Sequence, residues 1–258
     1  MKRTIAIACV AAWIAVVATH GSIERAFAAP RALVRPLALP FLWRSVIEAT
    51  KNADPLEAYE SARLLLAATP GWTDGHAVFA FRFVLDGGAV ALPPAERAAA
   101  TRDRLLLALA ALEEVRNSSG SREALLLGDM AWLVLLTTRN EPAVAPLLGT
   151  DPAILADRYL AEAEARGGGR MVQEQRLYDV PRLCAALLRA GDRNHALSLL
   201  EEAGARCERS AIPELAGEWR DTLLLVHRAL TGESPLDPVA LQRQKADPRL
   251  EALAPFLR

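Results

Sequence analysis

Apolar residues along this chain recur every three or four positions, in blocks of 8 to 24 residues separated by Gly- or Pro-containing breaks. That spacing belongs to one face of an α-helix. It predicts helices over 41–51, 55–68, 73–86, 94–117, 121–139, 152–166, 173–190, 193–207, 213–231, 238–245 and 248–257. In 94–117 the seam is unbroken: Ala98, Thr101, Leu105, Ala108, Leu112 and Val115 follow at steps of three and four. The stretch Ala124 to Leu136 is apolar almost all round yet contains Asp129. It is too short to span a bilayer, so it reads as a central helix covered on several sides by protein. Asp129 is expected at its edge or hydrogen-bonded in the core.

The connections are short, so consecutive helices are expected to be antiparallel neighbours. Asp54 with Pro55 reads as a cap and first helical position, Gly191-Asp192 as a stop and restart, and Pro213 and Pro238 as helix starts. The run Ala165 to Met171, with three consecutive glycines, reads as a hinge or linker. No alternating run of β-branched residues argues for a sheet. Composition agrees: Ala, Leu, Arg and Glu are good helix formers, 52% of the chain is hydrophobic and only 5% aromatic.

Charge separates the ends of the chain. Residues 1–36 carry five basic residues and one acid, a net +4; the remainder carries 25 basic and 30 acidic residues, a net −5. A mildly acidic body is a poor phosphate binder, so no nucleic-acid partner is expected. Lys2 and Arg3 precede an uncharged apolar run from about Thr4 to Gly21, the layout of a signal peptide or signal anchor within residues 1–28. Ala26-Phe27-Ala28 offers a cleavage site, whereas Glu24 and Arg25 favour retention, and both outcomes stay open. A buried N-terminal helix of a cytosolic protein is the alternative. Residues 29–40 hold three prolines and read as a spacer. The export reading places the body in the cell envelope, anchored at the inner membrane facing the periplasm or released there, with the membrane as partner if the segment is uncleaved.

Two segments share a finer pattern. In Leu177 to Glu208, Val180, Leu183, Cys184 and Leu187 lie on one helix face, a Gly-Asp turn follows, and then Ala196, Leu200 and Ala203. In Leu39 to Trp72 the turn, Ala58 and Pro70 take matching places, with a half-unit at Phe79, Ala80 and Phe83. This resembles the tetratricopeptide repeat, with Cys184 at a small-residue place, Glu208 where the closing Pro would stand, and Ala62 and Leu65 reversing the usual large and small sites. The resemblance implies an all-α fold over 41–258: antiparallel hairpins stacked as a right-handed solenoid, irregular in the middle. Small residues such as Ala58, Ala80, Ala196 and Ala203 would let helices approach closely. It implies a non-catalytic protein–protein interaction scaffold that takes a peptide or partner protein in a groove. Carried over by position, the groove residues are Trp43, Ile47, Lys51, Phe81, Tyr178 and Arg189. The alternatives are a permanent structural subunit of an envelope complex and an all-α enzyme.

The sequence offers no catalytic, cofactor or metal residues. His20, His76, His195 and His227 have no metal-ligand spacing, and Glu113-Glu114 and Glu201-Glu202 diverge by about 100° on their helices. Asp74 and His76 sit in a helix start, where Asp74 is expected to cap. In an antiparallel hairpin turning at 191–192, Cys184 lies opposite roughly residue 199, about 12 Å from Cys207 along the axis, so the two are not expected to bond.

Overall fold

The structure is a computed structural model that describes residues 38–49, 55–69, 72–85, 92–116, 119–232, 239, 242 and 246–257. The proposed signal or anchor, the spacer up to residue 37, Asp54, Lys51, His20 and Pro238 lie outside these residues. The described residues are helical or irregular, with no strand among them, so the protein is all-α. The chain divides into two compact units at Val90/Ala91.

The first unit contains α1 (38–49), α2 (Pro55–Ala68) and α3 (Thr73–Leu85). Val46, Ala62 and Leu65 form its buried centre, backed by Leu39, Leu42 and Phe79. Tyr59 stacks on Phe83 with ring centroids 3.9 Å apart. Ala80 is buried as expected of a close-approach position, and Ala58 is half-buried. Ala62, set where a larger residue was expected, is fully buried beside Leu65. At the start of α3, a side chain on Gly75 would run into the Trp72 ring that lies across it. Asp74 stands inside the first turn of α3, where a carboxylate meets the positive end of the helix.

The second unit runs through α4 (Pro94–Arg116), α5 (Glu123–Asn140), a 3₁₀ helix (Pro142–Leu148), α6 (Pro152–Ala165), α7 (Gly169–Arg189), α8 (Arg193–Glu208) and α9 (Arg220–Thr231). Each helix packs on its neighbours in the chain, most extensively α5 on α6. The α4 seam is buried from Ala98 to Leu112 as the spacing predicts. In α5, Leu126, Leu127, Met130, Leu133 and Val134 are wholly inaccessible. The helix is not covered on every side, however: Leu125 and Trp132 remain 45% and 47% exposed. Asp129 is half-buried and has a partner.

The glycine run is a built corner and not a hinge. Gly167, at φ +80°, donates its N–H to Glu164 O, and Gly168 donates to Ala163 O at 2.8 Å. Those two bonds satisfy carbonyls that the end of α6 leaves unpaired, and α7 restarts at once, four residues ahead of the predicted start. The same pair of bonds ends α7: Gly191 to Leu188 O, and Asp192 to Leu187 O. Asp192 then turns its carboxylate to the His195 N–H at 3.1 Å and caps α8. So Gly191-Asp192 stops one helix and starts the next. The three-residue turn lays α8 antiparallel on α7, and Cys184 Sγ sits 3.5 Å from Ala196 O. Ala196, Ala203 and both cysteines are buried in this contact, and the cysteines are unbonded. Burial pushes the Cys184 thiol up to about 12.

Two departures from the predicted helices have physical causes. Residues 213–231 do form one helical rod, but Leu215–Trp219 is a π turn within it. The predicted helix 248–257 is instead two 3₁₀ turns, Pro248–Leu250 and Ala254–Phe256, the first capped by Asp247 and the second carrying Pro255 in its first turn. Leu250, Leu253 and Leu257 still reach the core.

α7 contains Pro181 without breaking. A proline has no N–H, so the carbonyl four residues earlier, Leu177 O, loses its helical partner. Trp219, brought in by the π turn, fills that place: its Nε1–H donates to Leu177 O at 3.0 Å. The indole is fully buried, with Tyr178 5.7 Å away and the Arg249 guanidinium 4.7 Å over its ring.

Candidate functional site

The accessible residues of α5 are not scattered. Exposed Leu125, Trp132 and Arg139, with half-buried Gly128 and Leu136 between them, fall at helical steps of three and four, so they share one stripe. The stripe leads into a groove of about 740 Å³ in the second unit. Trp132, Leu135 and Leu136 of α5 supply apolar lining; Asp151 and Pro152 contribute from the start of α6, Arg182 and Arg189 from α7, and Arg249, Glu251 and Ala252 from the C-terminal turns. α5 and α7 are the first members of the α5/α6 and α7/α8 pairs.

Four arginines line this groove, Arg139, Arg182, Arg189 and Arg249, against two acids, Asp151 and Glu251. Three of the arginines lean on a carboxylate. Arg189 Nη2 is 2.7 Å from Asp151 Oδ2, Arg182 Nη1 is 2.9 Å from Asp179 Oδ1, and Arg249 Nη2 is 2.7 Å from Asp247 Oδ2. In each pair the cation is the more exposed partner: 52% against 24%, 50% against 16%, and 34% against 16%. At Arg182 and Arg189 the carboxylate sits beneath and the guanidinium faces outward, whereas Arg249 is also met by Glu214 and Glu218, both more exposed than it is. Asp151 also accepts the Ala153 N–H at 2.9 Å, so the residue that caps α6 also holds Arg189. Burial raises the Asp179 carboxyl above its usual range, with Gln175 and Arg182 pulling the other way. The hydrogen bonds from Arg249 hold Asp247 below its usual range. Arg139 is exposed and makes no ion pair with a described residue.

Of the groove residues expected from the repeat pattern, Arg189 lines this groove. Tyr178 lies on α7 but is half-buried against Trp219, near Glu214. Trp43, Ile47 and Phe81 belong to the first unit, where Trp43 and Ile47 are exposed and Phe81 is half-buried. Trp43 stands 6.2 Å from Trp72, which meets Phe79 edge-on. Lys51 lies outside the described residues. Sequence reasoning missed Trp132, Arg139, Arg182 and Arg249. The one signal for Trp132 was its place seven residues after Leu125 in a helix otherwise uniformly apolar.

The chemistry of the remaining candidates is modest. His195 is exposed beside Asp192, and His227 Nε2 is 3.3 Å from Glu201 Oε1. Among the described residues no three His, Cys, Asp or Glu side chains are grouped to hold a metal ion. His76 is half-buried and its Nε2 has no hydrogen-bond partner. Burial lowers its pKa below the usual value of about 6.5. The unfolded chain therefore binds the proton more readily, and His76 contributes stability above about pH 6.5 that is lost as pH falls through its folded pKa. Melting temperatures at pH 7 and pH 5 are expected to fall further for the native chain than for His76→Gln; equal falls would remove the assignment.

No protein-family model, curated protein or solved structure matches the chain. The chain is an all-α protein of helices packed in chain order, carrying in its second unit a groove lined by apolar residues of α5 and by four arginines. No helix among the described residues is long and apolar enough to cross a membrane.

Proposed function

We propose that this protein is a non-catalytic interaction scaffold, built from tetratricopeptide-like hairpins stacked in a right-handed sense, that holds an extended segment of a partner protein. The groove carries this reading. It is faced by the first helix of two successive hairpins, α5 and α7, the place the repeat pattern assigns to a ligand. It also combines an exposed tryptophan with half-exposed arginines, the residue types that most often anchor interfaces. The export reading of residues 1–28 would set the scaffold in the cell envelope, tethered or released.

One observation favours permanent assembly instead. Leu106 and Leu107 of α4 are 46% and 55% exposed, an apolar pair outside the groove lining. A photo-cross-linking residue placed at position 132 or at position 107 of the full-length chain, in its native membranes, separates the two. Scaffold function predicts a discrete adduct from 132 and none from 107. Adducts from both positions favour the structural subunit, and none from 132 ends the scaffold reading.

A further inference from the structure

Resting on that reading, we propose that the occupant of the groove is an acidic, extended protein segment, held by its side-chain carboxylates. The body of the chain is net negative, yet on the α7 side of this concavity Asp179 and Asp151 are tucked under Arg182 and Arg189, which are half-exposed. A guanidinium bound to one carboxylate keeps unused N–H donors on its fork, so Arg182 and Arg189 can each accept a second anion without releasing the first. Arg139 brings a guanidinium with no acidic partner among the described residues. Glu251 is the one exposed acid in the lining.

Geometry adds a spacing. Arg182 and Arg189 are two helical turns apart on the same side of α7, about 10.5 Å along its axis. A polyproline II segment repeats its side-chain direction every three residues, about 9.3 Å. Carboxylates at every third position would therefore meet successive arginines, leaving the intervening apolar side chains to Trp132 and Leu136. A nucleic-acid strand would also offer regular negative charge. It would need a basic surface longer than this concavity in an otherwise acidic body.

The test uses the full-length chain in detergent and fluorescein-labelled twelve-residue peptides with both ends blocked, carrying Glu, Gln or Lys at every third position in a Leu/Pro background. The Glu peptide is expected to bind at least tenfold tighter than the Gln peptide, with the Lys peptide weakest. Raising NaCl from 50 to 500 mM should weaken the Glu peptide severalfold and leave the Gln peptide nearly unchanged. Arg139→Ala combined with Arg182→Ala should cost tenfold or more, with a near-ultraviolet dichroism spectrum like that of the native chain. Arg209→Ala, an exposed control outside the lining, should cost nothing. Equal binding of Glu and Gln peptides overturns the acidic occupant while leaving a working groove. Unchanged Glu-peptide affinity in the double variant, or no binding of any peptide at millimolar concentration, also overturns it. Displacement of the Glu peptide by equimolar single-stranded oligonucleotide would reassign the surface to nucleic acid. The cross-link from position 132 judges the scaffold independently of all these outcomes.

Discussion

Trp219→Phe is expected to destabilise the second unit by about 1–3 kcal/mol, although it leaves an aromatic ring in a fully buried place. Ring volume is the smaller part of the loss. Phenylalanine has no N–H, and Leu177 O would then be a buried acceptor with neither an indole nor a helical amide to meet it. The companion substitution supplies the proof. In a Pro181→Ala background the amide restored at position 181 reaches Leu177 O along the helix, so Trp219→Phe should cost less there by about 1 kcal/mol. Urea denaturation followed by far-ultraviolet dichroism on the four chains of the cycle measures that coupling. Equal losses in the two backgrounds would show that the indole is only filling space.

The second large effect is expected at the α6–α7 corner. A methyl group on Gly168 would stand 2.7 Å from Ala163 O and 3.1 Å from its carbonyl carbon, both backbone atoms that no rotamer change can move aside. Gly168→Ala should therefore break the bond that closes α6 and cost about 1–3 kcal/mol, as overpacking does elsewhere. Gly167→Ala meets open space but keeps a φ of +80°, so its cost is the left-handed strain of about 1–2 kcal/mol. A loose linker would tolerate both. Thermal melting of the two variants decides, and two unchanged melting temperatures would restore the hinge.

Helix positions were legible in the sequence wherever punctuation coincided with the end of an apolar seam. α2 begins at Pro55 and ends at Ala68, just before Thr69-Pro70-Gly71. α4 follows its seam to Arg116. The reading failed where one residue's effect is settled by a distant one. Pro181 lies in α7 because a tryptophan 38 residues later compensates it, and no local rule carries that information. The π turn that delivers Trp219 is equally silent in the pattern. The glycine run was misjudged for another reason: flexibility in the unfolded chain and left-handed geometry in the folded one call for the same residue.

The groove was legible at one position. Arg189 could be placed by repeat register because it closes a helix whose turn was clear. Trp132, Arg139, Arg182 and Arg249 come from three elements, and their convergence depends on packing. What spacing could show on α5 was an apolar surplus; which side remained uncovered depended on where α4, α6 and the 3₁₀ helix came to rest.

The bond from Trp219 also has a mechanical meaning for the groove wall. A smooth apolar contact lets a rod creep lengthwise or roll about its axis at little cost, whereas a buried polar link at one carbonyl makes both costlier, because either movement leaves that carbonyl unmet. Leu177 is that fixed point, and Arg182 and Arg189 ride on the same rod five and twelve residues beyond it. Their height and heading are thereby indexed to the interior, so the wall meets an incoming chain as a calibrated rack instead of a sliding one.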